Sequence, residues 1–171
     1  MLKKLENFSP KEFEAQKHPF SIKRLSTTIG AELLDIDLKR DLSQEEKDHI
    51  YNALLTYKVI FFRDQDITTE QHMKFGQYFG ELEIHPFAPL GTNREDHPEV
   101  LRITHDKENK PKENAWHSDV TWRLEPSLGS ILRMVGTPAV GGDTLFANME
   151  AAYENLPDEI KKKIRGSLCS S

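Results

Sequence analysis

The longest uninterrupted apolar run in the chain is Val59-Ile60-Phe61-Phe62. Four residues make one short buried strand and fall far short of the ~20 that span a bilayer. Every other apolar side chain is spaced among polar ones, so the core must be assembled from many short elements. A chain of 171 residues suits one ordinary domain, expected over residues 1–171, burying roughly 70% of its unfolded surface. Its single cysteine, Cys169, excludes a disulfide framework. The stretch Met1-Leu2-Lys3-Lys4-Leu5-Glu6-Asn7 has no apolar signal core. Both features point to a reducing, cytoplasmic compartment. The 23 Lys and Arg against 28 Asp and Glu give a net charge of −5. That balance argues against a nucleic-acid groove, which needs clustered positive charge.

Phe20 to Thr28 and Ala31 to Leu38 read as two short strands broken at Gly30, a natural turn position. Ser43-Gln44-Glu45-Glu46 and Thr68-Thr69-Glu70-Gln71 both have the capping-box pattern, a hydroxyl three residues before Glu or Gln. The first opens a helix with Ile50, Leu54 and Tyr57 on one face. The second opens a helix with Phe75 and Phe79 on one face, ended by Gly80. Between them Val59 to Arg63 reads as a buried strand. Residues 85–99 and Asp106 to Asn114 read as loops, and Val100 to Thr104 and Leu128 to Val135 as strands. Gly141-Gly142 makes a turn into a strand over Asp143 to Ala147. Asn148 caps a helix through Tyr153, and Pro157 suits the first turn of a last helix with Ile160 and Ile164 on one face. Strands mixed with peripheral helices indicate an α+β or mostly-β domain.

Among the seven histidines, two have an acid two residues on: His117-Ser118-Asp119 and His97-Pro98-Glu99. In an extended segment residues i and i+2 point the same way, so such a pair can converge on one metal ion. Composition alone predicts about one such pair, so context must separate them. His97-Pro98-Glu99 lies among charged residues and reads as a solvated loop. His117-Ser118-Asp119 lies between Trp116 and Trp122, which suggests a walled pocket. One His and one carboxylate are two thirds of the facial triad that holds non-haem Fe(II) with open positions. A core histidine oriented by its aspartate fits the same residues equally well.

Gly141-Gly142-Asp143-Thr144 reads as a turn between strands rather than a phosphate loop, since it has no lysine. Lys161-Lys162-Lys163 reads as the solvated face of the last helix. No Gly-x-Ser-x-Gly elbow, His-Glu-x-x-His helix or paired-cysteine motif is present.

Several stretches together resemble the taurine dioxygenase family of Fe(II)- and 2-oxoglutarate-dependent oxygenases, collinearly from about Ile29 to Ile164. They are Ile29-Gly30-Ala31-Glu32, Val59 to Gln65, Phe79-Gly80-Glu81-Leu82 with Ile84-His85-Pro86, Trp116-His117-Ser118-Asp119-Val120-Thr121, Pro138 to Thr144, and Ala151-Ala152-Tyr153. Motifs in this order and spacing are far more specific than any one of them.

The resemblance implies an α+β, mostly-β fold: a double-stranded β-helix (jelly roll) with flanking helices, incomplete here. It implies that His117 and Asp119 are iron ligands, that Thr144 hydrogen-bonds the 2-oxoglutarate carboxylate, and that His85 and Asn114 line the substrate pocket. Ala88 stands where the taurine enzymes have a tyrosine, and Glu113 where they have an asparagine, with Asn114 adjacent. The implied partners are 2-oxoglutarate, O2 and a small anionic substrate such as a sulfonate, alkyl sulfate or aryloxy acid. Neither nucleic acid nor membrane is implied. Family members supply a second histidine ligand and a 2-oxoglutarate-binding arginine from a distal segment, whereas no histidine follows His117 here. The expectation is therefore an N-terminal portion of such an oxygenase with impaired activity. The alternative is a non-catalytic binding or regulatory protein on the degenerate fold, self-associating through exposed edges.

Overall fold

The computed structural model describes residues 8–85, 97–105 and 115–165, and the backbone of 93–94. The chain forms two compact units, Met1–Asp66 with Gly136–Ser171, and Ile67–Val135.

In the first unit, helix α1 (Pro10–Glu14) starts at Ser9, whose side chain accepts from the Glu12 N–H. Pro10 at the first position has no N–H to leave orphaned. The helix buries Phe13, 2% exposed. Strand β1 (Ser21–Arg24) pairs antiparallel with β2 (Ala31–Leu34), Ser21 opposite Leu34 and Arg24 opposite Ala31. Gly30 turns the chain at φ +88°, where a side chain would be strained. A Cβ there would also sit 3.8 Å from the Phe61 ring.

Helix α2 (Gln44–Tyr57) carries the chain from β2 to β3 (Ile60–Phe61), which lies parallel to β2. Such a crossover needs a connection of a dozen or more residues. The expected capping box is formed at its start. Ser43 accepts from the Glu46 N–H at 3.2 Å, and Glu46 accepts from the Ser43 N–H at 2.8 Å. The inner face is Ile50, Ala53 and Tyr57, with Leu54 half-buried beside them. Ile50 is 1% exposed, and burying a side chain of that size stabilises by roughly 1.5–3 kcal/mol. At the edge of this core, Glu32 is nearly buried and is held by Arg63 at 3.1 Å and Lys23 at 3.5 Å.

Phe13, His18, Phe20 and His49 form an aromatic cluster, with the His18 ring 4.5 Å from Phe13 and 5.6 Å from His49. His18 Nδ1 is buried without a hydrogen-bond partner. Burial, then the nearby His49, holds the His18 imidazole below its ordinary pKa. Helix α4 (Met149–Glu154) is capped by Asn148, which also donates to the Thr28 carbonyl at 2.7 Å. Helix α5 (Asp158–Arg165) follows; Ile160 and Ile164, expected on one face, are 39% and 48% exposed.

In the second unit, helix α3 (Thr69–Gln77) has its expected capping box, with Thr68 accepting from the Gln71 N–H and Gln71 from the Thr68 N–H. It buries Phe75, whose ring meets Phe79 edge-on at 5.4 Å, beyond the helix end. Strands β4 (Asn93–Arg94) and β5 (His97–Leu101) form a two-stranded antiparallel sheet.

Among the described residues the architecture is thus mixed α and β: a three-stranded sheet, a two-stranded sheet and helices. Three expectations are corrected. His97-Pro98-Glu99 is not a solvated loop but the half-buried start of β5, and His97 Nε2 lies 3.2 Å from Glu70. Leu128 to Val135 and Asp143 to Ala147 pair with no strand among the described residues. Apolar patterning reports what a segment would bury, whereas a ladder also needs a neighbour at hydrogen-bonding distance. No helix among the described residues is long and apolar enough to cross a membrane.

Candidate metal centre

His117 and Asp119 sit on an irregular segment of the second unit that turns sharply rather than running as a strand. Val120 has φ +44°, an uncommon value for a β-branched residue. The Arg123 N–H closes the turn onto the Val120 carbonyl at 3.2 Å. His117 Nε2 faces Asp119 Oδ1 at 3.4 Å.

The outer atom of each group is already engaged. His117 Nδ1 lies 3.1 Å from the Ala115 carbonyl oxygen. A carbonyl only accepts, so Nδ1 carries a hydrogen, and in the neutral tautomer the lone pair is then at Nε2. Asp119 Oδ2 accepts from the Ser130 hydroxyl at 3.1 Å. The two facing atoms, Nε2 and Oδ1, are of the kinds that can ligate a metal ion. Two ligand atoms about 2.1 Å from a common ion and at right angles to each other would lie about 3 Å apart, close to the observed separation.

The side chains of His117 and Asp119 are 71% and 63% exposed. A core histidine oriented by its aspartate is therefore not what the fold contains. The expected tryptophan wall is corrected as well. Trp116 and Trp122 are 70% and 59% exposed, and a wall that excludes water must be packed on its outer side. The Arg123 guanidinium instead lies 5.6 Å from the centre of the Trp122 ring.

The flanking segment is anchored at two places. Glu83 accepts from Arg123 at 2.6 Å and from the Ser127 hydroxyl at 3.0 Å. Ser127 and then Arg123 hold its carboxyl below the usual range. Further on, His72 on α3 donates from Nε2 to the Ile131 carbonyl at 3.2 Å. Burial lowers the His72 pKa despite that bond. Gly76 on the same helix leaves room for Leu82, since a Cβ there would sit 2.8 Å from Leu82 Cδ2.

The remaining sequence candidates are placed as follows. Thr144 belongs to the first unit and is exposed, two residues past Gly141 and Gly142 at φ +80° and +76°. This is the glycine turn expected from the sequence. His85 is exposed in the second unit. Asn114, with Ala88 and Glu113, lies outside the described residues. Among the described residues no three His, Cys, Asp or Glu side chains gather as a metal cluster. The contact the sequence did not signal is Ser130. It lies eleven residues from Asp119 in a run that reads as an ordinary strand.

The family described as "Taurine catabolism dioxygenase TauD, TfdA family" matches residues 21–170. The chain is 38% identical over 143 residues to an alkylsulfatase of Acinetobacter baylyi, covering 82% of this chain and 43% of that protein. It is 36% identical over 157 residues to an alpha-ketoglutarate-dependent sulfate ester dioxygenase of Pseudomonas putida, covering 90% and 48%. The chain thus spans about half the length of the curated relatives it matches. A crystal structure of a taurine dioxygenase from Burkholderia xenovorans superposes with a TM-score of 0.75 at 40% identity, covering 86% of this chain and 51% of that one.

Proposed function

Because the chain belongs to the TauD, TfdA family of taurine catabolism dioxygenases, we propose that His117 and Asp119 are two protein ligands of an Fe(II) ion. The reaction they serve is the 2-oxoglutarate-dependent oxidation of a small organic sulfate ester or sulfonate. The observation that carries the reading is the 3.4 Å approach of His117 Nε2 to Asp119 Oδ1, with the outer atom of each group hydrogen-bonded away. When bound, the iron supplies the oxygen activation that couples 2-oxoglutarate decarboxylation to hydroxylation. The protein's part is to fix ligand geometry and orientation. His117 binds through Nε2 because Ala115 holds the other tautomer off. Thr144 donates its hydroxyl to a carboxylate oxygen of 2-oxoglutarate. His85 and Asn114 donate to the anionic group of the substrate. The names of the Acinetobacter and Pseudomonas relatives favour a sulfate ester as that substrate. The same reading assigns the chain to the family's double-stranded β-helix, and two ligands with open positions match part of a facial triad.

The test is anaerobic equilibrium dialysis of labelled 2-oxoglutarate against the chain. Retention should require Fe(II) and should fall in His117→Ala, Asp119→Ala and Thr144→Ala. Retention that ignores Fe(II), or no retention, would overturn the proposal. One observation favours a second reading, a non-catalytic binding protein. Leu124, Leu132 and Val135 are 100%, 68% and 85% exposed, apolar side chains that an associating partner would cover. A stable dimer in size-exclusion chromatography that holds no Fe(II) would decide for that reading.

A further inference from the structure

We infer that Ser130 is a positioning residue for the metal pair: its hydroxyl ties down Asp119 Oδ2 and so commits Oδ1 to the ion. The inference rests on the reading of His117 and Asp119 as ligands, and goes beyond it to a residue eleven positions away.

A free carboxylate on an exposed loop has two equivalent oxygens and rotates. It can meet a cation through either oxygen or both, and each ordering costs side-chain entropy. Here the equivalence is broken. Oδ2 accepts from Ser130 Oγ at 3.1 Å, while Oδ1 faces His117 Nε2 at 3.4 Å. The donor must itself be fixed for this to matter. Ser130 precedes Ile131, whose carbonyl accepts from His72 on α3 at 3.2 Å. Three residues before it, Ser127 is bound to Glu83, which also holds Arg123. The serine is thus presented by a segment anchored on both sides, and the hydrogen bond transfers that order to the mobile end of Asp119. On the histidine side the Ala115 carbonyl does the equivalent task. Each ligand therefore has one outer partner, and partners of this kind orient the inner ligands.

Removing such a partner lowers metal affinity by about 10–100-fold, and the exposure of this pair places the expected loss near the lower end. The experiment titrates Mn(II), followed by electron paramagnetic resonance of the free ion, into the parent chain, Ser130→Ala, Ser130→Thr and His117→Ala. Far-ultraviolet circular dichroism verifies that each variant is folded. Ser130→Ala should bind about tenfold more weakly, Ser130→Thr should stay near the parent, and His117→Ala should lose the site. Parent-like binding by Ser130→Ala alongside loss in His117→Ala would overturn the role of Ser130 and leave the metal pair standing. A loss in Ser130→Thr equal to that in Ser130→Ala would also overturn it, because the hydroxyl is then not what matters. Parent-like binding by His117→Ala, or no binding by the parent, would instead overturn the metal reading beneath it.

Discussion

Replacing Glu46 by glutamine removes a charge but keeps an oxygen that can accept from the Ser43 N–H. The variant therefore separates the electrostatic part of the α2 cap from its hydrogen bond. Glu46 is held at a pKa of about 2, first by its hydrogen bond from Arg40 and then by the Ser43 cap. The gap from the ordinary 4.5 sets an upper bound of ~3.4 kcal/mol on its contribution at neutral pH. The Arg40 side chain is 46% exposed, so solvent screens much of this. An exposed ion pair contributes about 0.2–1 kcal/mol and a carboxylate at a helix N-terminus about 0.3–1 kcal/mol, which brings the expected loss to about 1 kcal/mol. With a urea dependence of about 2 kcal/mol per molar, the midpoint of Glu46→Gln should fall by about 0.5 M at pH 7. The sign with pH follows from the depressed pKa. The contribution is full above pH 4.5 and is lost as pH falls toward 2, so the parent and variant curves should converge on acidification. Urea titrations at pH 7, 5, 4 and 3 measure this. A gap equally wide at pH 3 and pH 7, or no gap at pH 7, would refute the reasoning.

Ile50→Ala should cost about 3 kcal/mol and Ile50→Val about 1 kcal/mol, since Ile50 is fully buried; denaturant midpoints read both, and equal losses would contradict the packing. His18 has a lowered pKa, so its neutral form is the one the fold holds. Its contribution is present above pH 6.5 and is lost as pH falls through the folded value. Thermal midpoints of the parent should therefore drop between pH 7 and pH 5, and His18→Phe should flatten that slope; an unchanged slope would show that the cluster does not titrate.

What was legible in the sequence was local. Both capping boxes are formed because a hydroxyl and an acid or amide three residues apart meet within one helical turn. Gly30, Gly141 and Gly142 take the positive φ that their turns demand. The succession of strand, helix and strand over β2, α2 and β3 is as the sequence reads, while their parallel pairing is seen only in the fold. What was not legible depends on partners distant in the chain. His97 meets Glu70 across 27 residues, and no local pattern distinguishes that from a solvated loop. The extended run around Leu128 signals apolar burial, but only the fold shows that Ile131 hangs from His72. Ser130 is an unremarkable serine until Asp119 is placed beside it. His117 and Asp119 lie between these cases: two-residue spacing nominated them, the flanking tryptophans set them apart from His97 and Glu99, and the structure brings Nε2 and Oδ1 to 3.4 Å.

The proposed chemistry of this chain requires that His117 and Asp119 hold a metal ion. Anaerobic calorimetric titration of Fe(II) into the parent, His117→Ala and Asp119→Ala measures that directly. If both are ligands, one ion binds per parent chain and each variant loses that binding. Identical isotherms for the three proteins would contradict it.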